Sequence, residues 1–197
     1  MLTAEFTKAL KFSRIVAVIR AQETQDAVER AHRALDAGVR VLEVAWTTPG
    51  AGDALQHLSN RAAVLGAGTI TTASQAEEAC RAGAQFLVAP NFSPEVHNVA
   101  RKTGVVYIPG VFTAHEVADA LGVGLDLLKL FPAATGGIRH LAALKEPFPE
   151  VQWIPTGGVT WETLPEWLAN GAIAVGMGTA LFRIRDLPEA IRALGAS

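Results

Sequence analysis

Leu127-Leu128-Lys129-Leu130-Phe131-Pro132 decides how the rest of the chain is read. It is an apolar run too short for a helix, bounded by Gly124 and Pro132, with a lysine inside it. Such a run predicts a strand buried on both faces, as in a parallel sheet. An ammonium is costly there unless it is paired or gives up its proton, because burial disfavours the charged form. A lysine neutralised in this way is a nucleophilic amine, the starting point of Schiff-base chemistry. The alternative is that Lys129 marks the strand's turn outward and extends its ammonium to solvent.

Outward from this strand the same grammar repeats, roughly every 20–25 residues. A polar-apolar helix ends at a glycine and a short apolar strand follows, as at Gly38, Gly83, Gly104, Gly124 and Gly171. Glycine suits the left-handed position that ends a helix. The spacing predicts strands over 15–20, 40–46, 63–67, 85–89, 105–108, 125–130, 151–154 and 172–176. Helices are expected over 24–37, 51–60, 73–82, 94–102, 114–121, 137–145, 161–169 and 187–194, with a further one over 3–11. Alternating β and α with short joints demands a parallel sheet. Eight such units predict an α/β fold, a single (β/α)8 TIM barrel with an additional N-terminal helix, spanning 1–197 as one domain. An open doubly wound sheet is the alternative.

Bulk properties exclude several classes. A net charge of −2 and a pI near 6.2 give no electrostatic case for nucleic acid or an anionic membrane. No apolar run approaches the roughly 18–20 residues of a membrane-spanning helix, and the first residues lack a signal-peptide pattern. The expected location is the cytoplasm. The single Cys80 cannot form an internal disulfide, and the five histidines lack metal-ligand spacing, so no metal site is expected.

In such a barrel the chemistry sits at the C-terminal ends of the strands. Those positions hold Arg20, Glu43 with Thr47, Gly68-Thr69, Pro90, Pro109-Gly110, Lys129, Thr156-Gly157-Gly158 and Gly176-Met177-Gly178-Thr179. Glu43 stands within Val41-Leu42-Glu43-Val44-Ala45, where a carboxylate must pair with a cation or move protons. Arg20 offers a planar fork for a substrate carboxylate, or a salt bridge to Glu23 or Asp26. The glycine-rich turns after the seventh and eighth strands lie where barrels commonly cradle phosphate. Gly66-Ala67-Gly68-Thr69 is not a dinucleotide fingerprint, because no third glycine or ribose-binding acid follows at the required spacing.

Along nearly its whole length the chain resembles the 2-keto-3-deoxy-6-phosphogluconate (KDPG) / 4-hydroxy-2-oxoglutarate (KHG) aldolases. The resemblance rests on Val18-Ile19-Arg20, Gly38-Val39-Arg40-Val41-Leu42-Glu43-Val44, Gly66-Ala67-Gly68-Thr69, Val88-Ala89-Pro90 and Ile108-Pro109-Gly110. Leu128-Lys129-Leu130-Phe131-Pro132-Ala133 and Pro155-Thr156-Gly157-Gly158-Val159 complete it. It implies a class I aldolase on a (β/α)8 barrel, in which Lys129 forms the imine with pyruvate and Glu43 moves protons. It further implies Arg20, Thr69 and Pro90 at the pyruvate end, Phe131 beside the imine, and Gly158 and Thr179 in a phosphate pocket. Thr156, Gly157 and Gly178 belong to the same expected binding set. No metal or organic cofactor is implied, and members are usually homotrimers. The chain departs from some members at Thr47, where they carry a substrate-binding arginine; Arg20 is expected to supply that charge. Two further readings stay open, a 2-keto-3-deoxy-6-phosphogalactonate aldolase and a sugar-phosphate isomerase or epimerase on the same scaffold. A non-catalytic phosphosugar-binding relative is a third.

Overall fold

The computed structural model describes residues 2–60 and 64–195. Helix α1 (Leu2–Ser13) leads into β1 (Ile15–Ile19), and then helices and strands alternate: α2 (Thr24–Asp36), β2 (Val41–Ala45), α3 (Ala51–Leu58), β3 (Val64–Gly68), α4 (Ala73–Arg81), β4 (Phe86–Val88). The chain continues through α5 (Pro94–Thr103), β5 (Val106–Ile108), β6 (Gly110–Val111), α6 (Ala114–Gly122), β7 (Leu127–Leu130), α7 (Ala133–Lys145) and β8 (Gln152–Pro155). It closes with α8 (Leu164–Ala169), β9 (Val175–Met177), α9 (Thr179–Phe182) and α10 (Leu187–Gly195). Position 63, where the third strand was expected to begin, lies outside the described residues.

Local chemistry accounts for these boundaries. In α2, Ala27, Ala31, Ala34 and Leu35 are buried at helical spacing on one face. Reciprocal capping boxes start α4 (Thr72 with Gln75) and α6 (Thr113 with Glu116). Ser93 caps α5, with Pro94 in its first turn, and Gly104 ends that helix in the left-handed conformation (φ +75°). Helix α7 starts four residues earlier than the spacing predicts and is broken by Gly137, whose φ of +69° is not helical.

The expected closed eight-stranded TIM barrel is not formed, and this corrects the fold reading. Six parallel strands make one curled sheet, a half-barrel in the order β5-β4-β3-β2-β1-β9, while β6-β7-β8 form a separate three-stranded sheet. One break falls at Pro109. A proline has no N–H to donate to a ladder, and the expected strand over 105–108 is followed by a second short strand beyond it. β5 pairs with β4, whereas β6 pairs with β7. At the other seam β8 meets the β9 segment only at the bridges Trp153–Ala172 and Thr156–Gly176. Pro155, again without an N–H, lies in this seam, and the last strand starts at Val175 instead of 172.

Two apolar layers result. Outward-facing strand residues pack on the helices in a large cluster that includes Leu42, Val44, Leu87, Leu128, Leu130 and Trp153. The concave face carries a second cluster, in which Val16, Val41, Phe86, Val88, Ile108, Ile154 and Ala174 meet Phe6 and Leu10 of α1. The register places Val18, Glu43 and Gly66 side by side across β1, β2 and β3, and Gly110, Lys129 and Ile154 side by side across β6, β7 and β8. Residues aligned in a parallel register share a face. Phe6 is 2 % exposed and its ring centroid lies 4.9 Å from that of Phe86. Removing a buried aromatic leaves a cavity the surroundings fill only partly, so Phe6→Ala is expected to cost about 3 kcal/mol of stability. The shift in denaturation midpoint measures it; an unchanged midpoint would mean that α1 does not close the base of the core.

Candidate active site

Each strand delivers its last inward residues to one rim. Lys129, third of four residues in β7, is only 6 % exposed, and Glu43, in the middle of the wholly buried β2, is 3 % exposed. Both line a cavity of about 370 Å3 at the C-terminal strand ends, within the size range of small-ligand sites. Arg20, Thr69, Pro90, Phe131 and Thr156 share it, as do Gly157, Gly158, Gly178 and Thr179. Of the residues expected to act in catalysis or substrate binding Thr47 stands outside the lining, as do Gly68, Pro109, Gly110 and Met177 among the other strand-end positions. Thr47 is exposed and accepts a hydrogen bond from Arg20 Nη1. Val18, Val159, Thr160 and Ala180 line the cavity without having been expected. Val18 was findable, since it lies two residues before Arg20 and hence on the same face of β1.

Space for the carboxylate comes from a neighbour without a side chain. A Cβ at Gly68 would collide with the Glu43 carboxylate. One at Gly176 would strike Thr156, whose hydroxyl donates to the Ile154 carbonyl at 3.2 Å. Gly68, which ends β3, and Gly176, expected as part of a glycine-rich turn, are therefore clearances for neighbouring side chains. At Gly158 the backbone requirement is conformational as well, with φ +83° and no room for a Cβ beside Ala134. This turn is tied to the first turn of α7 by Ala133 N–H to Thr156 O (2.8 Å) and Ala134 N–H to Gly157 O (2.9 Å).

The electrostatics follow from burial. Burial pushes the Glu43 carboxyl above the ordinary carboxylate range, although Lys129 and Arg20 pull it down. Burial likewise pushes the Lys129 ammonium below an ordinary lysine; Arg20 adds to that, and Glu43 opposes it. Desolvation is the largest cause for both groups, so each drifts toward its neutral form. The Lys129 Nζ also lies 4.6 Å from the Phe131 ring centroid. Arg20 does not make the salt bridge considered for it. Its Nη2 donates to Thr69 Oγ1 at 3.2 Å, and Asp26 instead pairs with Arg30 at 2.8 Å. Thr69 holds a positive φ of 59°, a conformation costly for a β-branched residue and most often found where a site requires it.

A larger cleft of about 440 Å3 opens at the opposite strand ends, between α1, α5 and the starts of β5 and β7. Its charged residues, Arg101 and Asp126, are exposed, and it has no buried amine or carboxylate. The smaller cavity, which holds a buried amine and a buried carboxyl, is therefore the candidate site. Among the described residues, no group of three or more His, Cys, Asp or Glu side chains could hold a metal ion, and no helix is long and apolar enough to cross a membrane.

This fold occurs in a known class of enzyme, the pyruvate-dependent aldolases, which are carbon–carbon lyases. Residues 6–190 match the family described as KDPG and KHG aldolase, and the chain belongs to that family. A 2-dehydro-3-deoxy-phosphogluconate aldolase of Treponema pallidum is 37 % identical over 166 residues, 83 % of this chain and 79 % of that protein. A crystal structure of a Legionella pneumophila KDPG aldolase, with pyruvate captured as a covalent carbinolamine, superposes with a TM-score of 0.84 at 32 % identity, covering 96 % of this chain and 95 % of the other. A Zymomonas mobilis 2-keto-3-deoxy-6-phosphogluconate aldolase with 3-phosphoglycerate does so with a TM-score of 0.85 at 30 % identity, covering 95 % and 91 %.

The signs of the Lys129 shift can be measured. Replacing Arg20 by Met removes a neighbouring cation that lowers the Lys129 pKa, so that pKa should rise; replacing Glu43 by Gln removes the group that raises it, so it should fall further. The pH dependence of competitive acetylation at Lys129, read by peptide mass, measures both. Shifts of the opposite sign would contradict this electrostatic arrangement.

Proposed function

We propose that this chain reversibly cleaves 2-keto-3-deoxy-6-phosphogluconate to pyruvate and glyceraldehyde 3-phosphate through an imine on Lys129. The observation that carries this is the buried Lys129 amine, held toward neutrality beside the buried Glu43 in one cavity. A neutral amine attacks a carbonyl; an ammonium does not.

The Lys129 Nζ adds to the C2 ketone, giving a carbinolamine. The Glu43 carboxyl, biased by burial toward its protonated form, donates a proton to the departing hydroxyl, and water leaves with formation of the C2 iminium. Glu43, now a carboxylate, takes the proton of the C4 hydroxyl through a water. C4 becomes the aldehyde carbonyl as the C3–C4 electron pair moves into the iminium, leaving an enamine. The proton on Glu43 then returns to C3, and hydrolysis of the pyruvate iminium frees Lys129. Phe131 lies against the reacting nitrogen.

Arg20 serves the substrate carboxylate. Its hydrogen-bond partners among the described residues are the neutral hydroxyls of Thr47 and Thr69, so its charge remains available. Those two hydroxyls hold the fork in place, which is the part Thr47 plays without reaching the cavity. Pro90 borders the pyruvate end. Thr156, Gly157, Gly158, Gly178 and Thr179 border the other, where backbone N–H groups of two glycine-rich turns suit a phosphate. 4-Hydroxy-2-oxoglutarate presents the same keto acid without the phosphate and fits the same chemistry. The chain is a single aldolase domain, and family membership supports a homotrimeric assembly in the cytoplasm.

Release of pyruvate, followed by coupled reduction, tests the mechanism. Lys129→Ala is expected to abolish it, and Glu43→Gln to lower kcat by about 10²–10⁴, the range for loss of general acid–base catalysis. Full activity of the lysine variant, or an unchanged kcat in the glutamine variant, would refute the assigned roles. A protein that interconverts sugar phosphates without releasing pyruvate would favour an isomerase.

A further inference from the structure

The wall of the cavity at its phosphate end is thin. Beyond β9 the chain runs through Gly178 and Thr179 into the single turn of α9 and on to Ile184. Thr179 borders the catalytic cavity on one side. On the other it borders a second cleft of about 410 Å3, lined also by Arg30, Arg33, Phe182 and Arg183. Open space thus lies on both sides of this segment. Leu181 is fully buried and anchors its middle. Its far end is held by a different element.

Arg33, in the last turn of α2, donates from Nη1 to the Phe182 carbonyl and from Nη2 to the Ile184 carbonyl, each at 3.0 Å. One guanidinium thereby ties two main-chain acceptors, one at the last residue of α9 and one two residues beyond it, through a rigid planar fork that an ammonium lacks. One turn earlier, Arg30 pairs with Asp26 and lies with Cζ 5.9 Å from the Phe182 ring centroid. Arg33 is exposed and lines the second cleft rather than the catalytic cavity, so it reaches a substrate only through the segment it holds.

We propose that Arg33 is a positioning residue which fixes Gly178 and Thr179 and so sets recognition of the phosphorylated aldehyde. This rests on the reading of that end of the cavity as the phosphate end. The imine chemistry, borne by β2 and β7, does not pass through this segment.

The test runs the reaction toward condensation, with pyruvate and either glyceraldehyde 3-phosphate or glyceraldehyde as acceptor. In the wild type the phosphorylated acceptor should have the lower KM. In Arg33→Ala that KM should rise about tenfold, the scale of losing charge-assisted hydrogen bonds, with kcat within about twofold and the glyceraldehyde KM unchanged. Arg33→Lys, which keeps the charge but lacks the planar fork with its two separate donor nitrogens, should fall between, and it serves alone should the alanine variant not fold. If the wild type discriminates and both variants discriminate equally, the clamp is refuted while the phosphate reading stands. Equal KM increases for both acceptors would also refute it, by showing a general structural role. If the wild type treats the two acceptors alike, the phosphate reading fails and the clamp with it.

Discussion

The structure depends on burying two ionisable side chains, Lys129 and Glu43, in a concave face otherwise packed with valine, isoleucine, leucine, alanine and phenylalanine. Full charges would draw the pair together, yet desolvation outweighs that attraction for both, and the nearby Arg20 cation works further against the ammonium. Both groups are thereby shifted toward their neutral forms, which in the proposed mechanism are the amine that attacks the carbonyl and the carboxyl that supplies the proton for dehydration. Neither shift belongs to the residue type alone; both come from the strands that withhold water.

Much of the surrounding architecture is subordinate to that burial. Gly68 and Gly176 keep side chains out of the volumes taken by Glu43 and Thr156. Phe6 and Leu10 of α1 close the base of the core from the side remote from the cavity. Arg20 is held at the rim by hydroxyls rather than by a carboxylate, which leaves an unneutralised cation near Lys129 and Glu43. Helix α2 extends this support sideways: its Arg33 fork secures the segment that follows β9.

The parts legible in the sequence were those where a residue contradicts its surroundings or repeats at a fixed period. Lys129 and Glu43 announce themselves as charges in strands with no exposed face, and α2 through its alanine and leucine spacing. Sheet closure was not legible, because counting strands does not show whether neighbouring ladders bond. Pro109 and Pro155 each remove a donor at a seam, and the result is a six-stranded half-barrel beside a three-stranded sheet instead of one closed ring. Helix α9 is a single turn, too short to carry a periodic signal. Arg20 was ambiguous because Asp26 stood within reach along the chain; in three dimensions Asp26 goes to Arg30, one helical turn away. Val159, Thr160 and Ala180 carry no unusual chemistry and reach the cavity only through the path of the loops.

The central claim is that Lys129 is a nucleophilic amine which forms an imine with pyruvate. The most direct test is borohydride reduction of the protein in the presence of pyruvate, followed by intact mass and peptide mapping. The account predicts one reduced pyruvate adduct per chain, located on Lys129. Folded protein with no adduct, or an adduct on another lysine while Lys129 stays unmodified, would contradict it.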